Sequence, residues 1–170
     1  MTQEQNNRVF LGLGGNLGQP RAAFIAARQR LADHPQVTVT GSSPLYRTAP
    51  VGGPAGQPDY LNAVLELTTE LSPRQLLELC RELEDASGRT RDIPWGPRTL
   101  DIDLLIFGQL LAADPQLTLP HPRMHERHFV LLPLAALAPE LHHPGLLKST
   151  RELLHELPEA TGVRKISEHW

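Results

Sequence analysis

Residues 99–107 read Thr-Leu-Asp-Ile-Asp-Leu-Leu-Ile-Phe, and this stretch decides how the rest of the chain is interpreted. Asp101 and Asp103 alternate with apolar residues, and alternation with a period of two is typical of a β-strand. In an extended strand both carboxylates project from one face while the intervening aliphatic side chains enter the core. The stretch therefore predicts a strand that carries an acidic pair opposite its core face.

Working outward, the chain alternates strand and helix signals. Strands are predicted over 9–13, 37–47, 60–67 and 99–107, with a short one over Leu117–Leu119. Helices are predicted after Pro20 and after Ser72, where Ser72 and Gln75 form a capping box. A further capping box at 149–152 predicts a helix there, whereas 129–137 is left unassigned because a proline interrupts it.

The predicted order is β-α-β-β-α-β with helical additions at the end. It is typical of an α+β, ferredoxin-like fold. Such a fold has a mainly antiparallel sheet with helices packed on one face, here with extra C-terminal helices. The sequence shows no repeat and no linker, so residues 1–170 are expected to form a single domain.

Bulk composition narrows the classes of function. The hydrophobic fraction of 40% supports a core, and a net charge of −3 argues against a nucleic-acid partner. Cys80 is the only cysteine, which excludes an intramolecular disulfide. Neither a secretory signal nor an apolar run long enough for a membrane span is present. We expect a cytoplasmic protein with no membrane partner, and nothing in the sequence demands a dimer, so a monomer is expected.

The acidic pair lies beside a cationic loop. Arg89, Arg91 and Arg98 precede it, in a stretch rich in Gly and Pro that also holds Trp95. Two neighbouring carboxylates repel each other unless a cation neutralises them, and Mg²⁺ takes one or two carboxylates plus phosphate oxygens. Guanidinium groups match phosphate geometry. The pattern indicates a metal–phosphate site; the alternative is a solvated acidic pair beside surface ion pairs of little energetic value.

A second candidate site follows the long Gly- and Pro-rich loop over 48–59. Tyr60 and Asn62 share one strand face, opposite Leu61. An aromatic ring beside an amide that both donates and accepts suits a flat heterocycle with an amide edge. The alternative is an ordinary half-exposed strand face.

A third candidate lies in 119–129, where His121, His125 and His128 are spaced by four and three residues. On one helix they could bind zinc, but the prolines on both sides of His121 argue against that helix. A loop that presents His121, Arg127 and Phe129 to a ligand is the preferred interpretation.

Two common nucleotide-binding motifs are absent from the sequence, and two alternative functions remain to be weighed. No G-x-x-x-x-G-K-[ST] motif is present, which argues against a P-loop enzyme, and the glycine-rich run 12–18 is not G-x-G-x-x-G. One rival is an Asp-x-Asp glycosyltransferase, although such enzymes usually need a larger nucleotide-binding domain. The other is a ferredoxin-like RNA-binding module, disfavoured by the negative charge and an aromatic content of 5%.

Several motifs together resemble the 6-hydroxymethyl-7,8-dihydropterin pyrophosphokinase family. They are GLGGNLG, SSPLYRTAPVG, QPDYLNAV, GRTRDIPWGPRTLDIDLLIFG, LTLPHPRMHERHFVLLPL and APEL, and WGPRTLDIDLL is the most specific of them. The resemblance covers nearly the whole chain and implies the ferredoxin-like fold. It also implies transfer of the β,γ-pyrophosphate of ATP to the hydroxymethyl group of the pterin, with release of AMP, in folate biosynthesis.

The resemblance also implies roles for individual residues. Asp101 and Asp103 match ligands of two Mg²⁺ ions, and Arg89 and Arg98 match catalytic cations that act on the phosphates. The implied pterin-binding residues are Thr48, Pro50, Tyr60, Asn62, Trp95 and Phe129. The implied ATP-binding residues are Glu84, Arg89, Arg98, Ile102, His121 and Arg127. The chain departs from the family pattern at Ala49, where proline is frequent, and in its short loop 92–94.

Overall fold

The structure is a computed structural model that describes residues 8–50, 55–88 and 99–170. The strands in these ranges are β1 (Arg8–Gly15), β2 (Val37–Ser42), β3 (Leu45–Thr48), β4 (Tyr60–Thr69), β5 (Asp101–Phe107), β6 (Ala112–Asp114), β7 (Leu117–Leu119) and β8 (Val163–Ser167). The helices are α1 (Pro20–Asp33), α2 (Pro73–Ala86), α3 (His128–Leu137) and α4 (Thr150–Glu156), with a 3₁₀ turn at Met124–Glu126.

The main sheet is antiparallel at every pairing that the structure describes. Its strand order is β5-β1-β4-β3-β8, and β2 also pairs with β4, while β6 and β7 form a separate hairpin. The first, second, third and fourth predicted strands thus lie in the order four, one, three, two. This arrangement confirms the predicted α+β class with a ferredoxin-like sheet.

The second predicted strand was expected to run unbroken over 37–47, and that prediction is wrong. The segment divides into β2 and β3 at Ser43 and Pro44, after a register shift next to Gly41. Pro44 has no N–H to give to the ladder. Ser43 compensates, because its N–H donates to the Val64 carbonyl at 2.8 Å and its hydroxyl accepts from the Val64 N–H at 2.8 Å. The two short strands therefore still lie along one edge of β4.

Helices α1 and α2 cover one face of the sheet. The capping box at Ser72 and Gln75 forms as predicted, and a proline occupies the first turn of each helix. Their buried side chains pack on the apolar residues of β1, β4 and β5. That cluster comprises Val9, Leu11, Leu13, Phe24, Leu31, Ala63, Leu65, Leu67, Leu76, Leu83, Ile102 and Leu104 among others. The main core lies on this side.

Helices α3 and α4 cover part of the opposite face. The segment 129–137, left unassigned above, falls in α3 although Pro133 lies inside it. Pro133 cannot donate to the Phe129 carbonyl, so apolar packing must hold the helix. Leu131 and Leu134 pack with Phe10 and Leu105 in a second, smaller cluster. The predicted capping box at Ser149 and Glu152 begins α4.

Strand β8 was not predicted. Its side chains are mostly exposed, so the segment has no alternating apolar pattern, and it joins the sheet by backbone pairing with β3.

Across 8–50, 55–88 and 99–170, no helix is both long and apolar enough to cross a membrane.

Candidate functional site

A cavity of about 210 Å³ opens on the sheet face opposite α1 and α2. Strands β1, β4 and β5 form its floor, the end of β3 forms one edge, and the start of α3 forms a wall. The described residues that line it are Gly12, Leu13, Gly14, Thr48, Ala49, Tyr60, Asn62, Ala63, Val64, Asp101, Asp103, Arg127, Phe129 and Val130. The structure thus brings together seven of the residues proposed from the sequence.

The acidic pair lies where the strand pattern predicts. Asp101 and Asp103 begin β5, are half-buried and line the cavity, while Ile102 between them is buried in the main core. In the register with β1, Asp101 lies opposite Gly14 and Asp103 opposite Gly12. The two carboxylates therefore share one face of one strand, over the part of the floor that has the smallest side chains.

The glycines of β1 keep this floor open. A Cβ added at Gly14 would lie 3.2 Å from Asn62 Nδ2, and one added at Gly12 would lie 3.4 Å from the Leu105 side chain. The contact at Gly14 is tighter than ordinary packing, so the Asn62 side chain would have to move, whereas the contact at Gly12 is at the short limit of ordinary packing. Alternate glycines thus leave room above β1 between the carboxylates on β5 and the polar side chains on β4.

Polar side chains of β3 and β4 complete the opposite side of the cavity. The Thr48 hydroxyl donates to Asn62 Oδ1 at 2.7 Å, and both residues are buried. Because this bond occupies the Asn62 carbonyl oxygen, it fixes which way the amide points, with Nδ2 above Gly14. Tyr60 lies one pleat away on the same face and also lines the cavity. An oriented amide beside an aromatic ring is thus built into the floor.

The wall formed by α3 supplies a cation and a second ring. Arg127 precedes α3, and its guanidinium carbon lies 5.4 Å from the centre of the Phe129 ring. Burial and Arg123 lower the pKa of Arg127, whereas Asp103 and Glu126 oppose this shift. Arg127 has no ion pair with any carboxylate in the described ranges. Its cationic side chain lines the cavity.

His121 lies next to the acidic pair rather than among the lining residues. Its backbone N–H donates to the Leu105 carbonyl at 2.8 Å, and its ring Nδ1 accepts from the backbone N–H of Arg123 at 3.2 Å. When the ring is neutral, Nε2 therefore carries the proton. Burial lowers the pKa of His121, and the Asp103 carboxylate partly offsets this. A neutral imidazole with an N–H donor is the form expected near pH 7.

The three histidines of 119–129 do not converge. His128 Nε2 lies 2.6 Å from the Pro158 carbonyl, and the His125 ring lies 6.2 Å from the His143 ring, centre to centre. Within the ranges that the structure describes, no group of three or more His, Cys, Asp and Glu could hold a metal ion. The zinc alternative therefore receives no support.

Two of the residues implied for ATP lie behind the acidic pair. Glu84 on α2 is 5% exposed, and its Oε2 accepts from the Ile102 N–H at 2.8 Å. Neither Glu84 nor Ile102 lines the cavity. Their contact with a nucleotide stays a prediction, and what the structure shows is a carboxylate that holds the backbone between the two aspartates.

Four residues singled out from the sequence, Arg89, Arg91, Trp95 and Arg98, lie outside the described residues. Pro50 lines an adjoining cavity of about 390 Å³ instead of the main one. This second cavity also involves His128 and the stretch 161–163 just before and within β8, and it shares Thr48, Ala49, Arg127 and Phe129 with the first.

Sequence reasoning missed the apolar and small residues of the site. Gly12 and Gly14 were noted only as part of a glycine-rich run, yet their spacing of two on a strand could have placed them on one face. Val64 and Val130 have no signal of this kind, because an apolar residue on a strand or helix predicts core as readily as cavity.

Comparison with known proteins gives one consistent family. Residues 10–139 match the family model described as 7,8-dihydro-6-hydroxymethylpterin-pyrophosphokinase. A 2-amino-4-hydroxy-6-hydroxymethyldihydropteridine pyrophosphokinase of Pseudomonas aeruginosa is 46% identical over 137 residues, which are 81% of this chain and 84% of the relative. The enzyme of the same name from Methylorubrum extorquens is 42% identical over 159 residues, covering 94% of this chain and 98% of the relative.

Solved structures show the same fold. The HPPK-DHPS protein of Plasmodium falciparum, crystallised with pteroate, superimposes with a TM-score of 0.68 at 15% sequence identity. The match covers 88% of this chain and 42% of that protein, so the chain corresponds to less than half of the longer polypeptide.

Proposed function

This chain belongs to the 7,8-dihydro-6-hydroxymethylpterin-pyrophosphokinase family, and we propose that the cavity on its sheet is where it transfers pyrophosphate from ATP to the pterin. It is a pyrophosphokinase of folate biosynthesis. The observation that carries the proposal for the cavity is the meeting of Asp101 and Asp103 with an oriented Asn62 and two aromatic rings.

The acidic pair fits Mg²⁺. Asp101 and Asp103 offer hard carboxylate oxygens on one strand face, half-buried at the edge of the cavity. Mg²⁺ in nucleotide sites is held by one or two carboxylates together with substrate phosphates, so no larger cluster of protein ligands is required. When bound, the metal ions, two in our proposal, would neutralise charge on the phosphates and polarise the phosphoryl oxygens.

The far side of the cavity fits the pterin. Tyr60 and Phe129 offer aromatic faces for the flat ring, and Asn62 Nδ2 is directed by the bond from Thr48. An amide next to a ring pocket recognises the donor and acceptor edge of a pterin. Pro50 borders this region from the adjoining cavity, and Trp95 is proposed to cover it.

Cationic and donor groups near the acidic pair fit the triphosphate. Arg127 lines the cavity with a cationic side chain, and His121 offers an Nε2–H donor close to Asp103. Arg89 and Arg98 are proposed to join them as catalytic cations. Glu84 accepts a hydrogen bond from the Ile102 N–H and so keeps the two carboxylates in register. The proposed roles of Glu84 and Ile102 in ATP binding rest on this position beside the acidic pair.

The reaction is an in-line substitution at phosphorus. The hydroxymethyl oxygen of the pterin attacks the β-phosphorus of ATP, the bond from that phosphorus to the α-phosphate oxygen breaks, and AMP leaves with the bonding electrons. The hydroxyl proton passes to solvent or to a carboxylate of the site. The protein acts by positioning both substrates, by excluding water, and by placing cationic groups where charge develops on the leaving phosphate.

Product analysis tests this proposal. The protein is incubated with ATP, Mg²⁺ and 6-hydroxymethyl-7,8-dihydropterin, and the products are identified by mass spectrometry. We expect the pterin pyrophosphate and AMP in equal amounts. Formation of ADP with a pterin monophosphate, or no pterin product at all, would contradict the proposed reaction. Sugar transfer from a nucleotide sugar, or tight salt-sensitive RNA binding, would favour the rival functions that the family assignment disfavours.

We also propose that residues 1–170 act as a single domain, and that the protein is cytoplasmic and monomeric. Cys80 is a free, buried thiol, and a chain with a single cysteine and hence no internal disulfide fits a reducing compartment. Light scattering during size-exclusion chromatography tests the monomer, for which a mass near 18.8 kDa is expected.

A further inference from the structure

The segment 161–170, called the clasp below, contacts the rest of the molecule in two ways, by the backbone pairing of β8 with β3 and by the side chain of Trp170. Within β8 the side chains of Arg164, Lys165 and Ile166 are exposed, so this strand adds little apolar burial of its own. Trp170, in contrast, is 8% exposed and belongs to the main core. Burial of a large aromatic side chain is a principal stabilising contribution, and Trp170 is the one residue of the clasp that is buried.

Three residues hold Trp170 through four contacts. Its indole N–H donates to the Ser43 carbonyl at 2.7 Å, and its ring meets the Phe24 ring edge-on at 5.9 Å between centres. The Arg28 guanidinium lies 4.2 Å from the Trp170 ring centre, and its Nη2 donates to the Trp170 backbone oxygen at 2.5 Å. The anchor therefore ties the clasp to α1 and to the junction between β2 and β3.

The other end of the clasp lies against the substrate cavity. Val163 pairs with Thr48, and the Ala49 N–H donates to the Gly162 carbonyl at 2.9 Å. Thr48 and Ala49 both line the main cavity, and Thr48 is the residue that orients the Asn62 amide. The clasp thus pairs with β3, the strand whose Thr48 orients the Asn62 amide on the cavity floor.

A second route links the anchor to the same floor. Ser43, which accepts from the Trp170 indole, bonds through both its backbone and its hydroxyl to Val64. Val64 lines the cavity two residues after Asn62 on β4. The anchor is thus connected to β3 by strand pairing and to β4 by the Ser43 bonds.

We propose that Trp170 is a positioning residue for the pterin side of the site, acting through the clasp on Thr48 and Asn62. It does not touch the substrate. It fixes the edge of β3 so that the Thr48 hydroxyl keeps the Asn62 amide in its binding orientation. This inference rests on the proposed function, because the ligand concerned is the pterin. The acidic pair lies on β5, which β1 and β4 separate from β3.

The test compares both substrates in one variant. For Trp170→Ala we expect the affinity for 6-hydroxymethyl-7,8-dihydropterin to fall roughly threefold to tenfold, the factor that corresponds to about one lost neutral hydrogen bond. The pterin affinity is measured by calorimetry with a non-hydrolysable ATP analogue present. The affinity for that analogue and kcat at saturation should stay within about a factor of two, because only binding of one substrate is altered.

A matched control separates this effect from general loss of stability. Leu71 is a buried core residue that follows the far end of β4, away from the cavity, and Leu71→Ala should lower stability without changing pterin affinity. If Trp170→Ala does not fold, Arg28→Met removes two contacts of the anchor and should show the same split between substrates to a smaller degree.

Two results would overturn the proposal. One is unchanged pterin affinity in the folded variant; the other is an equal loss for both substrates. Hydrogen exchange gives a readout that needs no substrate, since the Ala49 amide should exchange faster in Trp170→Ala than in Leu71→Ala. If the unaltered protein makes no pterin pyrophosphate, the proposed function fails, and the exchange result alone decides whether the clasp controls β3.

Discussion

The two faces of the central sheet differ although the same strands build both. On the face toward α1 and α2, β1 presents Val9, Leu11 and Leu13 to a continuous apolar core. On the other face it presents Gly12 and Gly14, and its neighbours there carry carboxylates, an amide and a hydroxyl. Because side chains alternate along a strand, one segment can stabilise the fold with every second residue and line a binding site with the others.

The largest loss of activity is expected from a substitution on the polar face of the sheet. Asp103→Asn removes a carboxylate from the proposed metal site, and we expect kcat/KM to fall by roughly a thousandfold, as for loss of a principal electrostatic group. Stability should change little, because Asp103 is not part of the apolar core. Steady-state assays at increasing Mg²⁺ check this, with Asp114→Asn on the β6–β7 hairpin as the control. Near-normal turnover and an unchanged Mg²⁺ requirement would show that the acidic pair is not the metal site.

On the apolar face we expect a substitution to lower stability and to leave substrate binding unchanged. Leu65→Ala deletes a fully buried side chain of β4, and the cavity left behind should cost about 3 kcal/mol of unfolding free energy. Denaturant unfolding gives that value. At temperatures where the variant stays folded, its KM for either substrate should match that of the unaltered protein. A large rise in KM would mean that the two faces are not independent.

The glycines sharpen the comparison within one strand. In Gly14→Ala the new methyl group presses on Asn62 Nδ2, so the KM for the pterin should rise by about tenfold, as expected when a bound group is misplaced. In Gly12→Ala the new contact is with flexible Leu105, and the effect should be smaller. Kinetic assays with each substrate varied in turn compare the two variants. An equal rise in the KM for the pterin in both variants would argue that the Asn62 amide does not bind the pterin.

The smallest effect concerns pH and lies away from the cavity. Burial and the neighbouring His125 lower the pKa of His143, whose Nδ1 accepts from the Gly145 and Leu146 N–H groups. The unfolded chain therefore binds a proton that the folded chain does not, and stability is lost as pH falls below the ordinary histidine pKa. Thermal unfolding between pH 7 and pH 5 should show a drop in Tm. The drop should be smaller in His143→Asn, and an equal drop in both would exclude His143 as its source.

Much of the fold follows from local patterns. The capping boxes at Ser72 and Ser149 begin α2 and α4, and the alternation around Asp101 places the acidic pair on the predicted face. These features depend on residues close together in sequence, so their physics can be seen without the tertiary structure.

The features that were missed depend on distant partners. β8 is exposed and owes its strand form to pairing with β3, more than 100 residues earlier, so no alternation marked it. The break at Pro44 is tolerated because Ser43 finds Val64 on another strand. Likewise, α3 forms around Pro133 because the second apolar cluster holds it. Tertiary packing decided each of these cases, and a local pattern does not contain that information.

The most direct test of the proposed site is a crystal structure with Mg²⁺, a non-hydrolysable ATP analogue and 6-hydroxymethyl-7,8-dihydropterin bound together. We expect metal bound about 2.1 Å from carboxylate oxygens of Asp101 and Asp103, and the pterin between Tyr60 and Phe129 with Asn62 on its edge. Metal held by phosphates alone, or a pterin bound outside this face of the sheet, would contradict it.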